Sequence, residues 1–391
     1  MKILVICQYY YPEPFRITDI CAELQKRGHE VTVVTGVPNY PEGIIYKDYE
    51  NGKHRDEVIN GVQVYRCNTI PRKTGAIHRF LNYYSYANSS ARFIKKLSDD
   101  FDVVFINQLS PVMMANAGIK YAKLHKKPCV LYCLDLWPES LVAGGISKGS
   151  KIYNHYHRIS EKIYNAVDRI LITSQSFSEY FEREFGIDKT KISYLPQYAE
   201  DIFSDIPPKQ TSDICNLVFA GNIGTAQSVI TIVKAAEILK DELVRFHIVG
   251  SGIELETLQK YADEHEIKSI TFYGRRPLED MPKFYAMADA MLLTLEADPI
   301  LSMTLPGKLQ SYMAAGKPVI GAIDGETKLV IEESGCGFCG KAENEKALAE
   351  NIVRFVNCED KRELSNNART YYEKHFDKAR FIEELEHQLT S

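Results

Sequence analysis

The sequence predicts the α/β class, organised as two successive βαβ-repeating domains, and three observations carry that expectation. Short β-branched runs alternate with segments of helical period. The alternation breaks once, at a polar stretch near residues 200–214 carrying Pro207 and Pro208, and then restarts. The chain has 391 residues, 45% hydrophobic and 25% charged, which is the length and balance of two globular domains.

The elements follow in order. Strands are expected at residues 2–7, 31–36, 103–108, 129–134, 169–174 and 191–196. Between the first two, Ile17, Ile20, Cys21 and Leu24 form an i, i+3, i+4, i+7 stripe that ends at Arg27-Gly28, a helix stop. Strand–helix–strand units of this kind build a parallel sheet covered on both faces. Beyond the polar stretch, strands are expected at 216–221, 245–250, 270–274, 290–295 and 318–323, with a helical stripe at Val229, Ile232, Val233 and Ala236. The domains are therefore 1–200 and 201–375, and ligands in such sheets bind at the carboxyl ends of the strands. Residues 376–389 have an amphipathic period compatible with packing on the second domain or back on the first.

Composition excludes several functions. A formal charge of −5 and a pI near 6.1 argue against a dedicated nucleic-acid binder. Nine cysteines, an odd number scattered through strands and helices, read as reduced thiols rather than a disulfide framework. Cys336 and Cys339 make a C-x-x-C without a second pair at zinc spacing, so they read as two thiols buried in a Gly-rich turn, and no metal is expected. No apolar run approaches the roughly 20 residues of a membrane span, and no targeting segment is expected.

Five segments could carry chemistry. Gly221, Asn222 and Gly224, with Gln227 following, end a strand and open a helix, where backbone N–H groups favour an anion; for a lone G-x-x-G, a turn that binds nothing is the better reading. Gly250-Ser251-Gly252 repeats that physics and that weakness. Thr304–Pro318 is stronger: Pro306 suits a first helical position, Gly307 lines the N-terminus, and Lys308 adds a cation where a diphosphate would meet free N–H groups. Asp135-Leu136-Trp137-Pro138-Glu139-Ser140 sets the single Trp and two carboxylates just past a strand, where a carboxylate could orient or deprotonate a hydroxyl, or the Trp could simply anchor the loop. Residues 70–98 hold Arg72, Lys73, Arg79, Arg92, Lys95 and Lys96 among five aromatic rings and no acid, a composition suited to an anionic membrane surface or to a solvated helix.

Taken together, these motifs resemble the retaining glycosyltransferases of the GT-B fold, family four, over nearly the whole chain. Tyr10-Tyr11-Pro12-Glu13, Arg27–Val33, Pro38-Asn39-Tyr40-Pro41 and Asp135–Ser140 are similar to that family's first domain, and 219–227 and 308–320 to its second. The Asp135–Ser140 block points to the branch resembling WbuB-type sugar transferases of capsule and O-antigen assembly. The resemblance implies two Rossmann-like domains facing a central cleft and a UDP-sugar donor bound in the second domain. The sugar would be an N-acetylated hexosamine or deoxyhexosamine. It implies a lipid-linked glycan acceptor in the first domain, a peripheral place on the inner face of a bacterial membrane, and neither metal nor cofactor.

Residue by residue, it implies donor contacts at Gly221, Asn222, Gly224, Gln227, Gly250, Arg275, Arg276, Pro306, Gly307, Lys308 and Ser311, catalysis through Asp135, Glu139 and Asp298, and acceptor contacts at Tyr11, Phe15, Arg16 and Trp137. The chain departs from the pattern at the two glutamates that the family spaces eight apart, where Met303 and Ser311 stand, and at the diphosphate-site Arg and Lys, where Asn222 and Gln227 stand. A nucleotide-sugar 2-epimerase or a non-catalytic scaffold of the same fold are the alternatives.

Overall fold

A computed structural model describes residues 1–71, 75–98, 100–143, 145–207 and 213–391. Two units emerge: Met1–Thr173 with Phe177–Leu195 and Ile382–Ser391, and Ser174–Ser176 with Pro196–Phe381.

The first unit is built on eight strands: β1 (Lys2–Ile6), β2 (Glu30–Thr35), β3 (Asp56–Ile59), β4 (Val62–Arg66), β5 (Val103–Gln108), β6 (Cys129–Cys133), β7 (Arg169–Ile172) and β8 (Ile192–Tyr194). Their order is β3-β4-β2-β1-β5-β6-β7-β8, parallel throughout except the β3–β4 hairpin. Strand order therefore runs outward in both directions from β1, and the loops at its carboxyl end open at a topological switch point. The central strands β1, β5 and β6 are buried almost end to end, as apolar runs under helices on both faces must be. Residues 382–391 complete this unit. Glu386 accepts from Arg27 Nη1 and pairs with His29 Nε2, each at 2.8 Å, and the Gln388 carbonyl accepts from Arg169 at 3.0 Å.

The second unit has six parallel strands: β9 (Cys215–Ala220), β10 (Val244–Val249), β11 (Ile270–Gly274), β12 (Ala290–Thr294), β13 (Val319–Ala322) and β14 (Gly337–Gly340), ordered β11-β10-β9-β12-β13-β14. Its switch point is the carboxyl end of β9. Alternate residues of β9 feed two cores, Leu217 and Phe219 on one face and Val218 and Ala220 on the other, so both faces are sealed.

Three strands were not expected. β3 and β4 form a hairpin over Asn60-Gly61, whose φ values of 52° and 82° suit a type I′ turn. β14 occupies the Gly-rich turn expected around Cys336 and Cys339. The sequence GFCG pairs there because Gly337 passes Val319 so closely that a Cβ would lie 1.8 Å from its carbonyl oxygen. Both thiols are free, and burial pushes them up to about 11 and about 12. The polar stretch after 200 is no simple linker at its start: Phe203 is buried and stacks on Tyr285 at 4.7 Å.

Candidate active site

In the second unit, the Gly307–Ala314 helix is pinned to the end of β9. The Tyr312 hydroxyl accepts from the Ala220 N–H and donates to the Ala220 carbonyl, each at 3.2 Å. Pro306 is the residue before this helix rather than its first, so Gly307 and Lys308 carry the leading N–H groups, which have no carbonyl four residues back. Lys308 folds back over the sheet end. Its Nζ lies 4.1 Å from the centre of the Phe219 ring, is buried, and has no hydrogen-bond partner among the described residues. Burial alone pulls this amine down to about 7. A Cβ on Gly221, at φ 153°, would stand 2.9 Å from the ammonium, so glycine there leaves room for the Lys308 side chain to pack against the turn.

The glycine turns themselves do less than expected. Gly221 N–H donates to Val249 and Gly250 N–H to Gly274, extending the sheet. Gly224 N–H donates to Gln227 Oε1, which also accepts from Asn222 Nδ2 at 2.9 Å. Neither turn opens an α-helix directly; the next ones begin at Val229 and Leu255. A Cβ on Gly250 would lie 1.8 Å from the Gly221 carbonyl, which makes that glycine a loop-packing requirement. The expectation of a backbone N–H cradle at Gly221, Gly224 and Gly250 is corrected accordingly, since those donors are spent on the protein.

Among the other candidates, Arg275 and Arg276 are exposed just past β11. Asp298 caps the Pro299–Ser302 helix, its Oδ1 accepting from Ile300 and Leu301 N–H at 2.8 and 2.9 Å. Ser311 Oγ lies 3.5 Å from a Glu200 carboxylate oxygen. Sequence reasoning missed Glu200 because it comes from the segment read as a linker, and nothing in its local pattern marks it.

In the first unit, Asp135 follows β6 and is half-buried. Its Oδ1 accepts from Ser140 Oγ at 2.7 Å and its Oδ2 from the Ser110 hydroxyl, which in turn accepts the Trp137 indole N–H at 2.7 Å. Trp137 is 0% exposed, edge-on to Tyr83 and Tyr156, so it anchors the loop and is not the acceptor contact expected. Glu139 is 3% exposed and accepts from Tyr153 Oη at 2.8 Å, Tyr180 Oη at 3.1 Å and Lys148 Nζ at 3.2 Å. A carboxylate so enclosed ties three helices together and cannot meet a substrate, which corrects its catalytic assignment.

At the β1 switch point, Phe15 stacks on Tyr9 at 4.9 Å and meets Tyr40 at 5.1 Å, Tyr11 is 48% exposed, and Arg16 starts the Ile17–Lys26 helix. This aromatic surface is set by Glu13, whose carboxylate accepts backbone N–H groups of Asn39, Tyr40 and Tyr10. Burial raises Glu13 to about 7 against the pull of those three donors. Tyr40 is the ring that residue-by-residue reasoning left out, although Pro38–Pro41 carried it. The basic segment supplies the Ala76–Phe93 helix, with Tyr83 and Tyr86 turned inward and Phe80 51% exposed; Arg72 and Lys73 lie outside the described residues.

Comparison with known proteins agrees with both units. Residues 16–197 match the family model "Glycosyltransferase Family 4" and residues 206–371 the model "Glycosyl transferases group 1". The chain is 25% identical over 375 residues to the putative colanic acid biosynthesis glycosyl transferase WcaI of Escherichia coli K12, covering 90% of this chain and 91% of that protein. Among solved structures, it resembles Anabaena HepE in complex with UDP and glucose, with a TM-score of 0.72 at 16% identity over 100% of both chains. It also resembles sucrose-phosphate synthase from Thermosynechococcus elongatus, with a TM-score of 0.76 at 14% identity over 99% and 98% of the two chains.

Proposed function

We propose that this chain, a glycosyltransferase of the GT-B fold, moves a sugar with retention of configuration from a UDP-sugar to a lipid-linked glycan in surface polysaccharide assembly. We assign it to the WbuB-like branch, working peripherally on the inner face of the cell membrane. The carrying observation is Lys308, a buried ammonium at a helix N-terminus with no hydrogen-bond partner and no counter-charge among the described residues. A donor diphosphate supplies that counter-charge. The colanic acid name of WcaI supports polysaccharide assembly, and the UDP in HepE supports the nucleotide.

The chemistry then divides among this chain's residues. As the bond from the anomeric carbon to phosphate oxygen breaks, charge grows on the diphosphate, where Lys308 and the first N–H groups of its helix stabilise it. Ser311 and Glu200 hold the ribose hydroxyls, Glu200 supplying the carboxylate that the family places at 311. The acceptor oxygen bonds to the anomeric carbon, and its proton passes to the leaving phosphate. Asp135 orients that hydroxyl and needs no unusual acidity to do so. Phe15, Tyr11 and Arg16 meet the acceptor glycan. Phe80 and Leu81, exposed on the Ala76–Phe93 helix, with Arg92, Lys95 and Lys96, meet an anionic membrane.

Thermal shift with a panel of nucleotides and UDP-sugars tests the donor assignment, since a ligand that binds only the folded state raises Tm. UDP and one UDP-sugar should raise it, with UDP released only when a lipid-linked acceptor is added. A panel in which no uridine nucleotide shifts Tm refutes the reading. Sedimentation with anionic vesicles tests the membrane assignment: binding should be present at low salt and lost at high salt.

A further inference from the structure

A groove of about 930 Å³ lies in the first unit between the Ala76–Phe93 helix and the β3–β4 hairpin, opening at the carboxyl end of β4. Four cations line it, Arg55, Arg66, Arg92 and Lys96, against one carboxylate, Asp56. Arg66 is accounted for: it binds Glu57 Oε1 through Nε and Nη2 at 2.9 and 2.8 Å, donates to the Tyr11 carbonyl at 2.6 Å, and lies under the Tyr49 ring. The other three have no carboxylate partner among the described residues. Arg55 donates to the Arg66 carbonyl and Arg92 to its own helix.

Three uncompensated cations around one concavity repel each other, in a protein whose net charge is −5. The arrangement is completed by an anion. One phosphodiester carries a single charge, whereas a diphosphate carries two or more and spans several donors, so three cations match a diphosphate better. The groove also has an apolar exit. Ser85, Ser89, Arg92 and Lys96 lie at helical spacing on the face that lines it, and Leu81, four residues before Ser85, continues that face at 41% exposed. Ile70, 42% exposed, lines the groove beside this helix, its N–H donating to Ser85 Oγ at 2.9 Å.

We infer that this groove binds the diphosphate of a polyprenyl-type lipid, with Arg55, Arg92 and Lys96 on the phosphates and the chain leaving over Leu81 and Ile70. This deepens the proposed acceptor and rests on that reading, but it is separate from the Lys308 donor site. It places the lipid anchor, and not only the membrane surface, on this helix.

The test uses the full chain saturated with UDP, titrated with farnesyl diphosphate, inorganic diphosphate and dihexanoyl phosphatidylglycerol. Farnesyl diphosphate should bind saturably and at least tenfold more tightly than either of the others. The Arg92→Ala/Lys96→Ala double variant should weaken it at least tenfold and leave UDP binding and Tm unchanged; Arg55→Gln, on a different element, should weaken it on its own. Equal affinity in these variants overturns the inference. So does phosphatidylglycerol binding as tightly as farnesyl diphosphate, which would make the groove a headgroup site for bulk membrane lipid. Binding is read without turnover, so failed transfer to a diphosphate-linked acceptor with intact farnesyl diphosphate binding counts against the acceptor reading and leaves the groove standing.

Discussion

Two buried charges, one in each unit, are treated in opposite ways. Glu139 receives three donors from Tyr153, Tyr180 and Lys148. Lys308 has no hydrogen-bond partner among the described residues and lies against the face of Phe219. A buried charge without partners is costly to fold around, so it persists where something else repays it. Glu139 is finished within the protein and belongs to its architecture. Lys308 is left unfinished within the described residues, which the proposed donor diphosphate would complete, and the carboxylate that looked catalytic in sequence is the one tied into the architecture.

The contrast can be broken by experiment. The largest effect is expected on stability. Glu139→Ala leaves two phenols and an ammonium without their acceptor and should cost about 3 kcal/mol or more by chemical denaturation, while the folded fraction keeps full activity per molecule. A stable variant without activity would return Glu139 to the reaction. Lys308→Met should cut turnover about ten- to a hundredfold, the value of a charge-assisted bond at roughly 1.5–3 kcal/mol, while Tm holds or rises.

Lys308 also sharpens the comparison through pH. Its folded-state pKa, about 7, lies below the unfolded value of 10.5. The unfolded chain therefore holds the extra proton between those limits, and this group's destabilisation, fully present below pH 7, fades as pH rises toward 10.5. Donor binding runs the other way: above pH 7 the diphosphate must recruit a proton, so affinity should fall by up to tenfold per pH unit. Lys308→Met should flatten both profiles, and a wild-type donor affinity independent of pH between 7 and 9 would contradict the assignment. The smallest effect is expected at Glu200→Gln, a rise in KM of a few-fold with kcat held, because the amide keeps one acceptor near Ser311; an unchanged KM would remove Glu200 from the ribose.

How much of this was legible depended on whether the signal was local. Strands β5 and β11 fall at the expected residues, because their β-branched and aromatic runs meet clear stops. The β3–β4 hairpin escaped because DEVI and VQVYR pair at a sheet edge with half their residues polar, although Asn60-Gly61 announces the turn. Lys308 could be singled out because helix start, glycine and cation stand in one stretch. The role of Glu139 could not be separated from catalysis, nor that of Trp137 from an acceptor contact, since a carboxylate or an indole past a strand reads alike whether it faces substrate or a tyrosine. Glu200 and the basic groove depend on residues brought together from distant segments, which no window along the chain displays.

The place of residues 382–391 has a consequence for biosynthesis. During translation the whole second unit, Pro196–Phe381, leaves the ribosome before the segment that supplies Glu386 and Gln388 to the first. The usual vectorial order, with the N-terminal domain closing first, is therefore suspended. Most of the first sheet can form early, but Arg27, His29 and Arg169 wait for partners made after the second unit. A nascent chain that has emerged only as far as residue 381 would carry a complete second unit and an open first one, so the half that emerges earliest is the half most exposed to chaperones and proteases.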